Sequence, residues 1–388
     1  MTAGVGEVFA VALRLGLTSF GGPIAHLGYF RAEYVERRRW LTDEQYSEIV
    51  ALAQVLPGPA SSQVGFAVGW TQRRLAGALA AFVGFTLPSA LVLGGFAAVV
   101  TTTDVSSAAW LTALKIVAVA VVLDAVLGMG RSLASTARTA TVATATFAAI
   151  LLVPTPLMQV GALALAGAVG AVVFTDQQGR GPRSLPLQVS RRWGVVCLAV
   201  SAVLLAGVPL LAGVGPLAEL AAIHYRAGAL VFGGGHVVLP LLEQPMVPEL
   251  MDSSTFLAGY GMAQAVPGPL FTFAAYLGQV VAGPAGAAVA IVFIFAPGFL
   301  LLVGVLPFWT RIRANARAQA ALVGVNAAVV GVLAAALYDP IVVTTLLGPV
   351  EVAYAAVLFA ALHFWKAPPW AVAIGAVVAS PLLTALGG

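Results

Sequence analysis

Two arginines stand at matching points of this chain, and their chemistry suits an anion. Arg14 lies six residues before Phe20-Gly21-Gly22, and Arg226 lies six residues before Phe232-Gly233-Gly234. A guanidinium presents a planar fork of donors that fits a tetrahedral oxyanion. At the centre of a bilayer an arginine costs about 2.5 to 3.5 kcal/mol, so one in so apolar a segment is expected to face a cavity or a partner. A structural reading stands beside this one. Glu7 and Glu219 each precede their arginine by seven residues, two helical turns along the same face.

The backbone around these arginines supplies a second way to hold an anion. Gly21, Gly22, Gly234 and Gly235 interrupt helical segments, and so do Pro57-Gly58-Pro59 and Pro267-Gly268-Pro269. Proline removes a backbone donor and breaks the helix, while glycine tolerates a sharp reversal. Half-helices opening at Gly22-Pro23, Gly235, Pro59 and Pro269 would aim free N–H groups and positive dipole ends inward. Ser61, Ser62 and Gln63 follow the first Pro-Gly-Pro tract, whereas Leu270, Phe271 and Thr272 follow the second, so hydroxyl donors are expected mainly from the first half. The plainer alternative is that each tract only shapes a hairpin.

Other polar residues in apolar surroundings carry weaker signals. Lys115 is a further candidate for attracting an anion. Asp124, nine residues on, lies on roughly the opposite face of the same helix and does not pair with it simply. Asp124, Glu351, His26 and His236 are candidates for proton coupling, the histidines because they titrate near neutral pH when unperturbed. Each could equally be a packing partner. Gln54, Gln264 and Asn326 either line a path or tie helices together.

Elements able to hold such groups follow from composition. Of 388 residues, 60% are hydrophobic and 9% charged, with a mean hydropathy of +0.99. A water-soluble core cannot account for those shares. Apolar stretches of the roughly 20 residues needed to cross a bilayer recur along the chain. The net charge of +4 comes from short basic clusters between them, which report sidedness and not nucleic acid. Cys197 is the single cysteine, so intrachain disulfides, CxxC redox chemistry and thiolate metal clusters are excluded, and no cofactor or metal is expected. No signal peptide is expected either. HExxH, GxSxG, a Walker lysine and paired intramembrane aspartates are missing, which argues against an enzyme. A passive channel or a structural subunit is harder to set aside.

The landmarks repeat in one order. Arg14 to Gly22 matches Arg226 to Gly234 at an offset of 212, His26 matches His236 at 210, Ala53 to Pro59 matches Ala263 to Pro269 at 210, and Pro88 matches Pro297 at 209. We therefore divide the chain into a first repeat (1–174), a cytoplasmic linker with a connecting transmembrane helix (175–215) and a second repeat (216–388). Thr42 to Leu56 is too short to span and should form one arm of a hairpin that enters and leaves on one side. Arg31, Arg37, Arg38, Arg39, Arg73 and Arg74 flank the first hairpin, placing its ends in the cytoplasm, whereas Glu243, Glu249 and Asp252 flank the second, with no Lys or Arg from Gly228 to Pro307. Spans near 75–100, 106–130, 139–153, 155–174, 193–213, 284–308, 319–338, 341–362 and 369–387 then leave every basic loop inside. The expected fold is an all-α polytopic membrane protein, an inverted-topology repeat with broken or re-entrant helices and about 9 to 13 membrane segments.

These residues resemble the chromate ion transporter family, in particular its long, two-domain members. The likeness rests on Phe20-Gly21-Gly22-Pro23 with His26, on Arg37-Arg38-Arg39-Trp40-Leu41, on Gln54 to Pro59 with Ser61-Ser62-Gln63, and on Phe232 to Gly235 with Gln264 to Pro269. The resemblance implies efflux of chromate across a bacterial plasma (inner) membrane, coupled to the energised membrane and conferring chromate resistance. Sulfate or another small oxyanion stays open as the substrate, as does a passive channel. The implied partners are the oxyanion and the lipid bilayer, with a homodimer left open. The second tract has Gly235 where Pro23 stands and lacks the Ser-Ser-Gln run, so equal contributions of the two halves are not expected.

Overall fold

The computed structural model describes residues 3–20, 22–102, 109–174, 187, 189–211, 213–232, 235–381 and 383. Among these the chain is helical throughout, without strands. Four helical stretches are long and apolar enough to cross a membrane: Ala60–Thr101, Ala109–Leu133, Leu270–Ala314 and Ala316–Thr345. Ala137–Leu152, Leu157–Val173, Pro349–His363 and Pro369–Ala379 are shorter apolar helices. Leu152 and Leu157 are 81% and 84% exposed, as side chains that face lipid would be. The helices gather into two compact units, each drawn from both halves of the sequence.

The first unit comprises Met1–Phe96, Gly179–Val238 and Val266–Asn315 and holds the broken elements. Helix Asp43–Val55 starts with a capping box, Thr42 Oγ1 accepting from the Gln45 N–H while Gln45 Oε1 accepts from the Thr42 N–H. It ends at the first Pro-Gly-Pro tract, and the chain resumes as a helix at Ala60. That helix reverses at Arg73 and Arg74, where φ/ψ leave the helical region, so the arm from Ala60 rises only about 20 Å before it turns. Arms on either side of the reversal pack backbone to backbone: a Cβ on Gly69 would lie 2.3 Å from the Gly77 carbonyl oxygen. The second half does the same at the matching residues. Its helix reverses at Ala282 and Gly283, and a Cβ on Gly278 would lie 2.2 Å from the Gly286 carbonyl oxygen. Arg74 takes φ 48°, a conformation glycine adopts freely at the matching Gly283. Helices Val5–Thr18 and Pro216–Leu230 seat on the two long helices alike, through Gly16 against the Phe85 carbonyl and Gly228 against the Ile294 carbonyl.

The second unit comprises Ala97–Gln178, Leu239–Ala265 and Ala316–Gly388. Helix Ala316–Ala336 lies against Pro156–Val173 and Ala137–Leu152, and close approach requires glycine: a Cβ on Gly324 would meet the Ala166 carbonyl oxygen at 2.1 Å, and one on Gly331 the Ala143 oxygen at 2.2 Å. Helix Ala109–Leu133 packs on Pro349–His363 and Pro369–Ala379 through a core that includes Ile116, Val117, Leu358 and Leu362. Helix Ser253–Ala265 is capped by Asp252, whose carboxylate accepts from the Thr255 N–H at 2.9 Å and hydroxyl at 2.6 Å. The expected span near 369–387 is a helix over Pro369–Ala379, and residues 382 and 384–388 lie outside the described residues. The stretch 341–362 is interrupted: a π-helical turn at Leu337–Val342 and a short helix at Val343–Thr345 precede Pro349–His363. Pro340 and Pro349 each lack the N–H that a continuous helix would need.

Candidate functional site

The tips of the two Pro-Gly-Pro tracts define the site in the first unit. The Gly58 N–H donates to the Val231 carbonyl at 2.8 Å, and the Gly268 N–H donates to the Ser19 carbonyl at 2.9 Å. Ser19 and Val231 are the residues at which helices Val5–Thr18 and Pro216–Leu230 stop, just before the two Phe-Gly-Gly breaks. Each tip thus fastens to the broken helix of the other half. Gly58 has φ +120° and Gly268 φ +104°, and a Cβ would fall 2.9 Å from Gly298 Cα in the first case and 2.8 Å from Ser89 Oγ in the second. Helices resume at Gly22 and Ala60, and 3₁₀ turns at Gly235 and Leu270, which are the four expected openings.

Side chains after the first tip carry the asymmetry expected from the sequence. Gln63 Nε2 donates to the Pro57 carbonyl at 3.0 Å and the Gly298 carbonyl at 2.9 Å, bracing the tip. Ser61 Oγ lies 3.3 Å from His26 Nδ1, and the His26 ring packs edge-on to Phe85. The hydroxyls of Ser19, Ser62 and Thr86 are buried and make no hydrogen bond among the described residues, nor does Gln63 Oε1. Buried polar groups are rarely left unpaired, so each of these three hydroxyls is open to a hydrogen bond with a polar guest. After the second tip, Leu270 and Phe271 are buried, and the Thr272 hydroxyl is spent on the Pro269 carbonyl at 2.7 Å.

Charged candidates are spread more widely. Arg14 is 60% exposed, and its Nη1 lies 3.8 Å from Glu33 Oε2. Glu33 also receives Arg37 and Arg38 at 3.0 Å each, while Glu7 takes Arg38 at 2.5 Å and not Arg14. The π-helical turn Ala32–Arg37 brings this group together. Arg226 is half buried in helix Pro216–Leu230, with Glu219 in that helix's first turn. His236 is half buried in the turn Gly235–Val237. Lys115, Asp124 and Glu351 belong to the second unit. Lys115 feels the charge of Asp252, Asp124 binds His363 Nδ1 at 2.7 Å, and Glu351 lies in the first turn of Pro349–His363, where the helix dipole favours a carboxylate. Gly21 and Gly234 lie outside the described residues.

Comparison with known proteins decides the family. The sequence model described as "Chromate transporter" matches residues 6–171 and 218–380. The chain belongs to the chromate transporter family. A chromate transport protein of Pseudomonas aeruginosa is 27% identical over 385 residues, covering 93% of this chain and 87% of that protein. A chromate transport protein of Cupriavidus metallidurans is 28% identical over 332 residues, covering 84% and 80%. A probable chromate transport protein of Synechococcus elongatus is 29% identical over 338 residues, covering 84% and 81%. No solved structure matches the chain. The protein is a multi-pass membrane transporter and not an enzyme.

Three ionic groups of this transporter were not singled out by its sequence. Glu48, 3% exposed, meets Arg313 in a buried ion pair and accepts from Trp309 Nε1 at 2.8 Å. His363 joins Asp124 to Arg131, whose Nη2 lies 3.4 Å from His363 Nε2. Glu33 gathers three arginines, and it stands 210 residues before Glu243, the same offset that relates His26 to His236. That alignment was sufficient to pair the two glutamates. Nothing in the sequence joins Glu48 to Arg313 or Asp124 to His363.

Proposed function

We propose that this transporter exports chromate, holding the oxyanion where the two Pro-Gly-Pro tips meet the broken helices of the opposite half. The reciprocal tip contacts carry the reading: they put the ends of half-helices from both repeats in one unit, beside idle hydroxyls from the first. A dianion there would accept hydrogen bonds from Ser19, Ser62 and Thr86 and feel the positive ends of the helices that begin at Gly22 and Ala60. Arg14 supplies charge from an exposed position beside Glu33, and Arg226 supplies it from the second half.

Inverted topology is part of this proposal, and polar contacts within each unit support it. Gln244 donates to the Pro154 carbonyl at 2.9 Å, and the Ser253 and Thr344 hydroxyls lie 3.5 Å apart. The charge pattern assigns both pairs to the outer side. Arg131 meets His363, and Arg73 Nε donates to the Ala3 carbonyl at 2.8 Å, on the cytoplasmic side. In this arrangement a negative-inside potential favours dianion export by about 2.3 kcal/mol per charge per 100 mV, so export can run on potential alone. Sulfate has the same charge and shape, and a pocket reading only those features separates the two weakly.

The test is radiolabelled chromate accumulation in everted vesicles under an imposed potential. Wild type accumulates chromate, excess sulfate competes, and Arg14→Gln and Arg226→Gln each lower the rate at least about tenfold, a loss of roughly 1.4 kcal/mol of transition-state stabilisation. Wild-type vesicles that accumulate none overturn the substrate; two arginine variants that match wild type overturn the assigned site.

A further inference from the structure

Glu33 and Glu243 occupy the same point of the two repeats and live in opposite surroundings. Glu33 is encircled by Arg14, Arg37 and Arg38. Val247 and Pro248 stand where Arg37 and Arg38 would be matched, and no Lys, Arg or His lies between Val238 and Asp252. Glu243 is nevertheless 3% exposed, and neither of its carboxylate oxygens has a hydrogen-bond partner among the described residues. The charge that acts on it is another carboxylate, Asp339. Asp339 is exposed, at the point where the helix begun at Ala316 gives way to the π-helical turn before Pro340, with φ −129° and ψ 119°. Such interruptions recur at functional sites.

A buried carboxylate with no donor and a neighbouring negative charge cannot stay ionised, so it holds a proton instead. We propose that Glu243 is a proton-binding site of this transporter, facing the outer side of the membrane and exchanging its proton with the surface through Asp339 during the transport cycle. The outer location rests on the export reading above, in which Glu243 flanks the second hairpin and Asp339 ends the span that starts from the cytoplasmic Arg317. Their meeting in one unit accords with that reading. In the conformation described, the acid is neutral and buried. When the second half rearranges and Glu243 meets water, the O–H bond breaks, the proton passes to Asp339 or solvent, and the carboxylate must be protonated again before it can be re-buried. These surroundings of Glu243 have no counterpart in the first repeat, where Glu33 is paired with three arginines, so the proposed proton exchange belongs to one half alone.

Burial first, and Asp339 second, push the Glu243 carboxyl up to about 8 from its ordinary 4.5. Its bound proton therefore contributes stability that is fully present below the unfolded pKa and is lost as pH rises through about 8. Two measurements on the full-length protein test the proposal. In detergent, the unfolding temperature of wild type should fall relative to Glu243→Gln between pH 5 and pH 8 and run parallel above it. Asp339→Asn, at an exposed position, should move the end of that fall to lower pH. In vesicles, Glu243→Gln should lower chromate accumulation driven by a pH gradient at least tenfold while exchange of labelled for unlabelled chromate persists, because a permanently neutral side chain can be re-buried without a proton. Parallel unfolding curves across the whole pH range, or gradient-driven accumulation equal to wild type in Glu243→Gln, would overturn it. Should no variant carry chromate at all, the substrate reading fails, and the unfolding curves still decide the proton site.

Discussion

Gly58→Ala is expected to cut chromate transport at least about tenfold, and Gly268→Ala by only a few fold. Both glycines have positive φ, which an L side chain adopts at a cost of about 1 to 3 kcal/mol. They differ in what a methyl group would strike. At Gly58 it meets the Cα of Gly298, a backbone atom that cannot move without shifting helix Phe273–Val305. Retreat of the tip would stretch the Gly58 N–H bond to Val231 and disturb the hold of Gln63 on Gly298. At Gly268 the first atom met is Ser89 Oγ, a side chain that can rotate. Adding Ser89→Gly to Gly268→Ala should therefore restore much of the lost rate, whereas no single side-chain truncation rescues Gly58→Ala. Initial rates in everted vesicles, normalised to protein in the membrane, measure both. Equal, small losses at the two positions would mean that the tips are not packed as described.

The largest stability effect is expected at the buried pair of Glu48 and Arg313. Glu48→Gln leaves a guanidinium in a site where only 9% of its side chain is exposed, and Arg313→Met leaves a carboxylate at 3%. Removing one partner of such a pair costs about 3 to 5 kcal/mol, because the remaining charge is stranded away from water. Either variant should lower the unfolding midpoint of the purified protein sharply and reduce the amount recovered from membranes. Replacing both, as Glu48→Leu with Arg313→Leu, strands no charge and should be more stable than either single variant. Trp309 keeps part of the penalty in place, since its indole N–H loses the Glu48 acceptor in the double variant. Singles within about 1 kcal/mol of wild type would show that the pair is open to water.

Taken with the site, these effects describe a division of labour between two related halves. Matching glycines make matching backbone contacts, at Gly16 and Gly228 and at the Gly69–Gly77 and Gly278–Gly286 crossings, so the scaffold is shared. Side chains diverge where chemistry is done. Ser61, Ser62 and Gln63 surround the first tip with polar atoms, while Leu270 and Phe271 seal the second; Glu33 sits among arginines, while Glu243 sits beside Asp339.

Helix breaks and hairpin arms were legible in the amino-acid sequence because their causes are local. Proline and glycine act on their own residue and the next, capping residues reach three positions, and a duplicated stretch shows itself by its offset. The openings at Gly22, Ala60, Gly235 and Leu270, and the arm Asp43–Val55, followed from such rules. Idle hydroxyls around the tips were half legible: Ser61, Ser62 and Gln63 stood out by contrast with the second tract, but Ser19 and Thr86 carry no mark of their own. Only the tertiary structure decided who pairs with whom. Arg14 went to Glu33 and not to Glu7, Asp124 to His363 across 239 residues, and Glu48 to Arg313. Each compact unit was likewise assembled from both halves of the chain. Such partnerships depend on which helix faces meet, and that is set by the summed packing of many small residues along each crossing, a quantity that no short stretch of sequence contains.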